Sequence, residues 1–91
     1  MTNDMDRVLA LSDKFKALSH PHRLRIVQDL MSQARNVTKI QESLGIPQPS
    51  VSAHLSKLKN AGIIQGHRNG QEIFYEVVDN DSKELIRSLF D

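Results

Sequence analysis

Gln48, Ser50 and Ser52 place three short polar side chains within five residues, in a stretch whose other members include Pro49, Ala53, His54 and Lys57. Amide and hydroxyl groups of this size donate and accept hydrogen bonds over a short reach, which suits contact with base edges or phosphate oxygens. A second polar group, Arg68, Asn69 and Gln71, surrounds the dipeptide Asn69-Gly70 further along the chain. Catalytic chemistry is poorly served by the same residues. Ser52 and His54 are two apart, so on a helix they diverge and make a poor nucleophile and base. No glycine-rich phosphate loop or paired-histidine metal motif occurs in the chain. Neither enzyme activity nor a cofactor is expected.

The elements that must hold these residues follow from local signals. Pro47 and Pro49 bracket a helix start, because proline is tolerated only in a first turn, so a helix is expected from Gln48 or Pro49 to about residue 61, with Gly62 ending it. On a helical wheel Val51, Leu55 and Leu58 form one narrow apolar stripe, while Pro49, Ala53, Ser56 and Lys57 lie on the far side. A solvated helix would usually carry Glu and Lys on that face. A helix that enters a groove about 12 Å wide needs small side chains there instead. Upstream, Thr38 and Gln41 fit a capping box for a short helix over 39–44, closed by Gly45. Downstream, Ile63, Ile64 and the run 73–77 predict two strands joined at Asn69-Gly70, with both of those residues at positive φ.

The flanking segments are amphipathic. Met5, Val8, Leu11, Phe15 and Leu18 recur at three- and four-residue steps and predict a helix over 5–18, widened by Leu9. Pro21 starts a second helix that runs to about residue 34 and turns Leu24, Val27, Leu30 and Met31 inward. His20 and His22 flank Pro21. A capping or surface role is expected for them, because a helix start does not aim two such side chains at one point. Residues 82–90 predict a last helix with Asp81 as cap and Leu85, Ile86, Leu89 and Phe90 on its apolar side. Nine residues are marginal as a helix alone, so this one must dock.

At 91 residues the chain buries roughly 60–65% of its unfolded surface as a monomer, and it has no cysteine for disulfides or thiolate ligands. A second copy is the expected stabiliser, and the apolar faces of the first and last helices pack either within their own chain or across a dimer. Net charge is only +1, but residues 35–70 carry +4 and residues 71–91 carry −4. A basic middle favours a polyanionic partner. No apolar run approaches the ~18 residues of a membrane span, and residues 1–7 are too polar to open a signal peptide, so no membrane association and a cytoplasmic location are expected.

The segments ALSHPHRLRIVQDL, SLGIPQPSVSAHLSKLKNAGII and HRNGQEIFYEV, in this order and spacing, resemble the ArsR family of bacterial winged helix-turn-helix repressors over nearly the whole chain. The resemblance implies an α+β, mostly helical fold of five helices and a two-stranded hairpin wing in one domain, 1–91. Within it 38–61 would be the helix-turn-helix, 63–77 the wing, and 1–18 and 82–91 the dimerisation helices, joined through Met5, Val8 and Leu9 of the first and Leu85, Ile86, Leu89 and Phe90 of the last. It implies a nucleoid-associated homodimer that binds an imperfect inverted repeat of double-stranded DNA in a promoter and represses transcription. By position, Gln48, Pro49, Ser50, Ser52 and Ala53 become the base-facing end of the recognition helix, with His54 and Lys57 as neighbours and Arg68, Asn69 and Gln71 as the wing.

Two departures from the family pattern stand out. Ala53 occupies a position where many relatives carry a second histidine. The thiolates that bind metal on the third helix of some relatives are absent, and Asp79 and Asp81, near the carboxylate ligands of others, have no histidine after them. Those aspartates are expected to be caps or solvated acids, and no metal site is expected. The alternative function is a winged-helix protein-interaction module without DNA binding. Its mark would be an apolar exposed recognition face, which Ser50, Ala53, Ser56 and Lys57 do not supply.

Overall fold

A computed structural model describes residues 4–90; residues 1–3 and 91, at the outer ends of the two expected dimerisation segments, lie outside the described residues. In chain order the elements are α1 (Asp4–Leu18), α2 (Pro21–Leu30), β1 (Arg35–Asn36), α3 (Val37–Leu44), α4 (Gln48–Asn60), β2 (Ile64–Asn69), β3 (Glu72–Val77) and α5 (Asn80–Phe90). The five helices and the hairpin are those expected. Their boundaries move where the capping chemistry differs.

α2 starts at Pro21 as anticipated, behind an extended His20 whose Nδ1 accepts the His22 backbone N–H at 3.1 Å. It stops at Leu30 rather than near residue 34, because the chain must turn into β1. α3 is capped by Asn36, not by Thr38. The Asn36 Oδ1 accepts the Lys39 N–H at 2.9 Å, and Asn36 has the extended backbone that a cap requires, whereas Thr38 already lies inside the helix. Gly45, at φ 67°, closes α3 in the left-handed conformation expected of it. α4 opens at Gln48 behind Pro47 with no side-chain cap. α5 begins two residues earlier than expected, because Asp79 rather than Asp81 caps it: Asp79 Oδ2 accepts both the Ser82 N–H (2.9 Å) and the Ser82 hydroxyl (2.7 Å).

The sheet has three antiparallel strands in the order β1-β3-β2, one more than the expected hairpin. β1 is two residues long, too short for any periodicity to announce it, and it pairs Arg35 with Tyr75 and Asn36 with Phe74. In the hairpin Asn69 pairs with Glu72, so Gly70 and Gln71 are the turn, one residue later than expected. Only Gly70, at φ 68°, is left-handed there. That is the pattern of a turn with glycine at its first central position, not of the Asn-Gly turn with two positive φ values. Gly66 answers a different need: a Cβ there would lie 2.9 Å from Ile73 Cγ2 and 3.1 Å from the Tyr75 ring.

One core joins these parts. Ile26 and Val27 of α2, Val51 and Leu58 of α4, and Ile63 are at most 1% exposed, and Leu30, Ile40, Leu55, Ile64, Val77 and Ile86 extend the cluster into α3, the base of the wing and α5. α4 is therefore seated by three side chains of one stripe, as the wheel implied. α1 contributes only Ala17 and Leu18. Met5, Val8, Leu9 and Phe15 stay 48–57% exposed, as do Leu89 at 64% and Phe90 at 47%. Ile86, expected at a dimer face, is instead 3% exposed in its own chain's core, and Leu85 is half-buried beside it. The last helix needs an inward anchor before it can present an outer face.

α1 is fastened to α5 by charge. Arg7 forks onto Asp81 at 2.8 and 3.0 Å, and Lys14 Nζ reaches Asp79 at 2.7 Å and Asp81 at 3.3 Å. The hydrogen bond from Arg7 holds the Asp81 carboxyl below its ordinary range against the opposing effect of burial. Burial pushes Asp79 upward, but the hydrogen bonds from Lys14 and Ser82 outweigh it and its pKa also falls. Both aspartates are thus committed to ion pairs and, for Asp79, to a cap.

Candidate nucleic-acid interface

α4 presents two chemically distinct faces. With Val51, Leu55 and Leu58 in the core, Gln48, Pro49, Ser50, Ser52, Ala53, Ser56, Lys57 and Lys59 are all exposed. The open face of the first two turns is therefore small, hydroxylic and free of acids, and the two lysines follow in the last turn. Two amides of the first turn, Ser50 N–H and Val51 N–H, point back to the Pro47 carbonyl at 3.0 and 3.2 Å. No side chain caps this end of the helix, and Pro49 has no N–H of its own to offer there.

His54 departs from this face. Its side chain is half-buried and turned to the start of α2, its ring 4.5 Å from that of His20 and 5.6 Å from that of His22, and its Nδ1 lies 3.4 Å from Arg23 Nη1. Arg23 is itself held by a 2.6 Å bond from its Nε to the Ala17 carbonyl. Burial first, then the positive charges of His20, Arg23, His22 and Lys57, lower the pKa of His54. Burial, Arg23 and His22 do the same to His20.

His20 caps α2 as expected, but the expectation that His20 and His22 would not share a focus does not hold. One ring nitrogen from each of His20, His22 and His54 lies within 4.8 Å of the others. The convergence comes from α4, which brings in a residue more than thirty positions away, and nothing local to Pro21 could have signalled it.

The wing carries Arg68, Asn69 and Gln71 exposed around the Gly70-Gln71 turn. Behind the tip, His67 Nε2 meets Glu76 Oε1 at 2.9 Å across the strands, and the Asn36 amide donates to Glu72 at 2.8 Å, fixing β3 from both sides. A groove of about 430 Å³ between α1 and α5 is lined by Arg7, Leu11, Lys14, Phe15 and Leu85 among others, with no residue of α4. No helix among the described residues is long and apolar enough to cross a membrane.

Residues 20–65 match the family model described as bacterial regulatory protein, arsR family. The HTH-type transcriptional repressor SmtB of Mycobacterium tuberculosis is 36% identical over 77 residues, which is 85% of this chain and 57% of that protein, so the chain spans little more than half of that relative's length. Among solved structures, the transcriptional repressor BigR from Xylella fastidiosa superposes with a TM-score of 0.86 at 34% identity, covering 99% of this chain and 94% of that one. A homodimeric winged helix-turn-helix DNA-binding domain from Mycobacterium bovis superposes with a TM-score of 0.85 at 26% identity over 98% of this chain and 83% of that one. With five helices, a winged sheet and the matched helix-turn-helix in place, the chain belongs to the arsR family of bacterial regulatory proteins.

Proposed function

We propose that the chain works as a homodimeric, sequence-specific DNA-binding repressor in the cytoplasm, with α4 as its recognition helix and the Arg68, Asn69 and Gln71 tip as a flanking contact. The observation that carries this reading is the division of α4. Three apolar residues at 0–3% exposure fix the helix, and the exposed residues of its first two turns, Gln48, Pro49, Ser50, Ser52 and Ala53, are short enough to enter a major groove. Lys57, Lys59 and Arg68 supply phosphate contacts, which give most of the affinity and make it fall with salt. Base choice rests on Gln48, Ser50 and Ser52.

The exposed apolar residues of α1 and α5, chiefly Val8, Leu9, Phe15, Leu89 and Phe90, form the surface a second copy would cover. The homodimeric Mycobacterium bovis domain, similar over 98% of this chain, supports that arrangement. A two-fold dimer puts two recognition helices in successive major grooves about 34–36 Å apart and so selects an inverted repeat in a promoter. Replacing Ser50 and Ser52 together by glutamate places two acids against phosphate. Gel-shift binding to the selected operator is expected to disappear while the sedimentation of the protein stays unchanged. Retained binding would sink the assignment of α4.

A further inference from the structure

We propose that His20, His22 and His54 form a binding site for one borderline divalent transition-metal ion, of the zinc type, per chain. Three imidazoles are the ligand set such ions prefer, and they arrive here from two different elements: the cap and first turn of α2, and the middle of α4. Ring centroids stand 4.5, 5.4 and 5.6 Å apart, and the rings are inclined by 47°, 48° and 68° to one another rather than stacked flat. One nitrogen from each ring lies within 4.8 Å of the other two. Ligating nitrogens around a tetrahedral zinc at its usual bond lengths are about 3.3 Å apart, so side-chain rotations that bring the nitrogens closer by at most about 1.5 Å complete the set, with water in the fourth position.

The chemistry around the cluster selects the ion. The Arg23 guanidinium stands beside the cluster, its Nη1 3.4 Å from His54 Nδ1. With no carboxylate among the three ligands the site does not suit calcium or magnesium, which need oxygen donors. It suits ions whose bond to imidazole is strong enough to tolerate nearby cations. Binding also competes with bonds already made. The Nδ1 lone pair of His20 takes the His22 N–H, and that of His54 faces Arg23, so an ion on either ring displaces one of these donors or forces a change of tautomer. Affinity is accordingly expected in the micromolar range rather than at the level of thiolate sites. Occupancy pins the start of α2 to α4 and stabilises the folded chain; it does not depend on whether α4 reads DNA.

The test uses untagged full-length protein with zinc alone in calorimetry and cobalt alone in visible absorption. One zinc per chain, tetrahedral cobalt bands, and a melting temperature raised by roughly 5–10 °C at tenfold free zinc over its Kd are expected. His22→Ala and His54→Asn should each weaken zinc binding at least tenfold, while His67→Gln, outside the cluster, leaves it unchanged. If either variant folds poorly, long-range proton–nitrogen spectra of the histidine rings in the unaltered chain decide the matter: ring nitrogens of His20, His22 and His54 must shift on zinc addition. No zinc binding below roughly 100 µM, binding that survives both substitutions, or shifts confined to His67 would overturn the proposal.

Discussion

Replacing Asp79 by alanine removes the residue on which α5 and its attachment to α1 both depend. The carboxylate caps α5 at Ser82 N–H, and losing a cap of this kind costs about 1 kcal/mol. It is also the partner of the Ser82 hydroxyl at 2.7 Å, and Ser82 is 2% exposed, so that hydroxyl is left buried without an acceptor, a penalty of about 1–3 kcal/mol. Lys14 loses its nearer carboxylate but keeps Asp81 at 3.3 Å, which adds about 0.5 kcal/mol at most. One oxygen serves both Ser82 bonds, so the contributions overlap and the whole is about 2–4 kcal/mol. In a domain of this size that lowers the melting temperature by roughly 10–20 °C. Thermal unfolding followed by circular dichroism at one fixed protein concentration measures it. Asp79→Asn keeps an acceptor and should lose less than half as much. Asp79→Ala combined with Ser82→Ala should recover part of the loss, because no hydroxyl is stranded. A loss below about 0.5 kcal/mol, or equal losses for alanine and asparagine, would refute the assignment of Asp79 as the cap.

Acid should act on the same joint. Both Asp79 and Asp81 titrate below their ordinary value in the folded chain, so the stability they contribute is fully present above about pH 4 and is lost as pH falls through their lowered values. Denaturant midpoints between pH 6 and 2.5 should therefore drop below pH 4, and less steeply in the Asp79→Ala variant; parallel curves would exclude the linkage. Gly66→Ala would drive a methyl against Ile73 and Tyr75 and should cost about 1–2 kcal/mol in the same assay, where no change would mean that the wing repacks freely. Leu89, 64% exposed on α5, is expected to lie at the dimer face, so Leu89→Glu should weaken dimerisation at least tenfold in sedimentation velocity without lowering helix content. An unaltered dimer would move the interface elsewhere.

The helices were legible because their signals are local. Pro21, Gly45, Pro47 and the stripe of Val51, Leu55 and Leu58 each act within a turn or two, and the small exposed face of α4 follows from that stripe. Caps were misread where two candidates stood close together, Asn36 against Thr38 and Asp79 against Asp81, because the choice turns on which carboxyl or amide oxygen reaches a first-turn N–H: Asn36 leaves β1 extended and accepts from Lys39, and Asp79 accepts from Ser82. β1 was invisible because a two-residue strand has no period, and it exists only because β3 is there to pair with it. Ile86 was assigned to the outside because an amphipathic pattern does not say which of its residues turn to the chain's own core. The histidine cluster was missed for a related reason. His54 belongs by position to the recognition helix, and only the packing of α4 on α2 turns its ring toward His20 and His22.

The central proposal, that a dimer reads DNA with the first turns of α4, is tested most directly by selecting bound sequences from a random DNA library with the purified protein. The expected result is an imperfect inverted repeat with half-sites about one helical turn apart, recovered with the unaltered chain and lost when Ser50 and Ser52 are both glutamate. Recovery of no common sequence, or of the same sequence by the double variant, would contradict it.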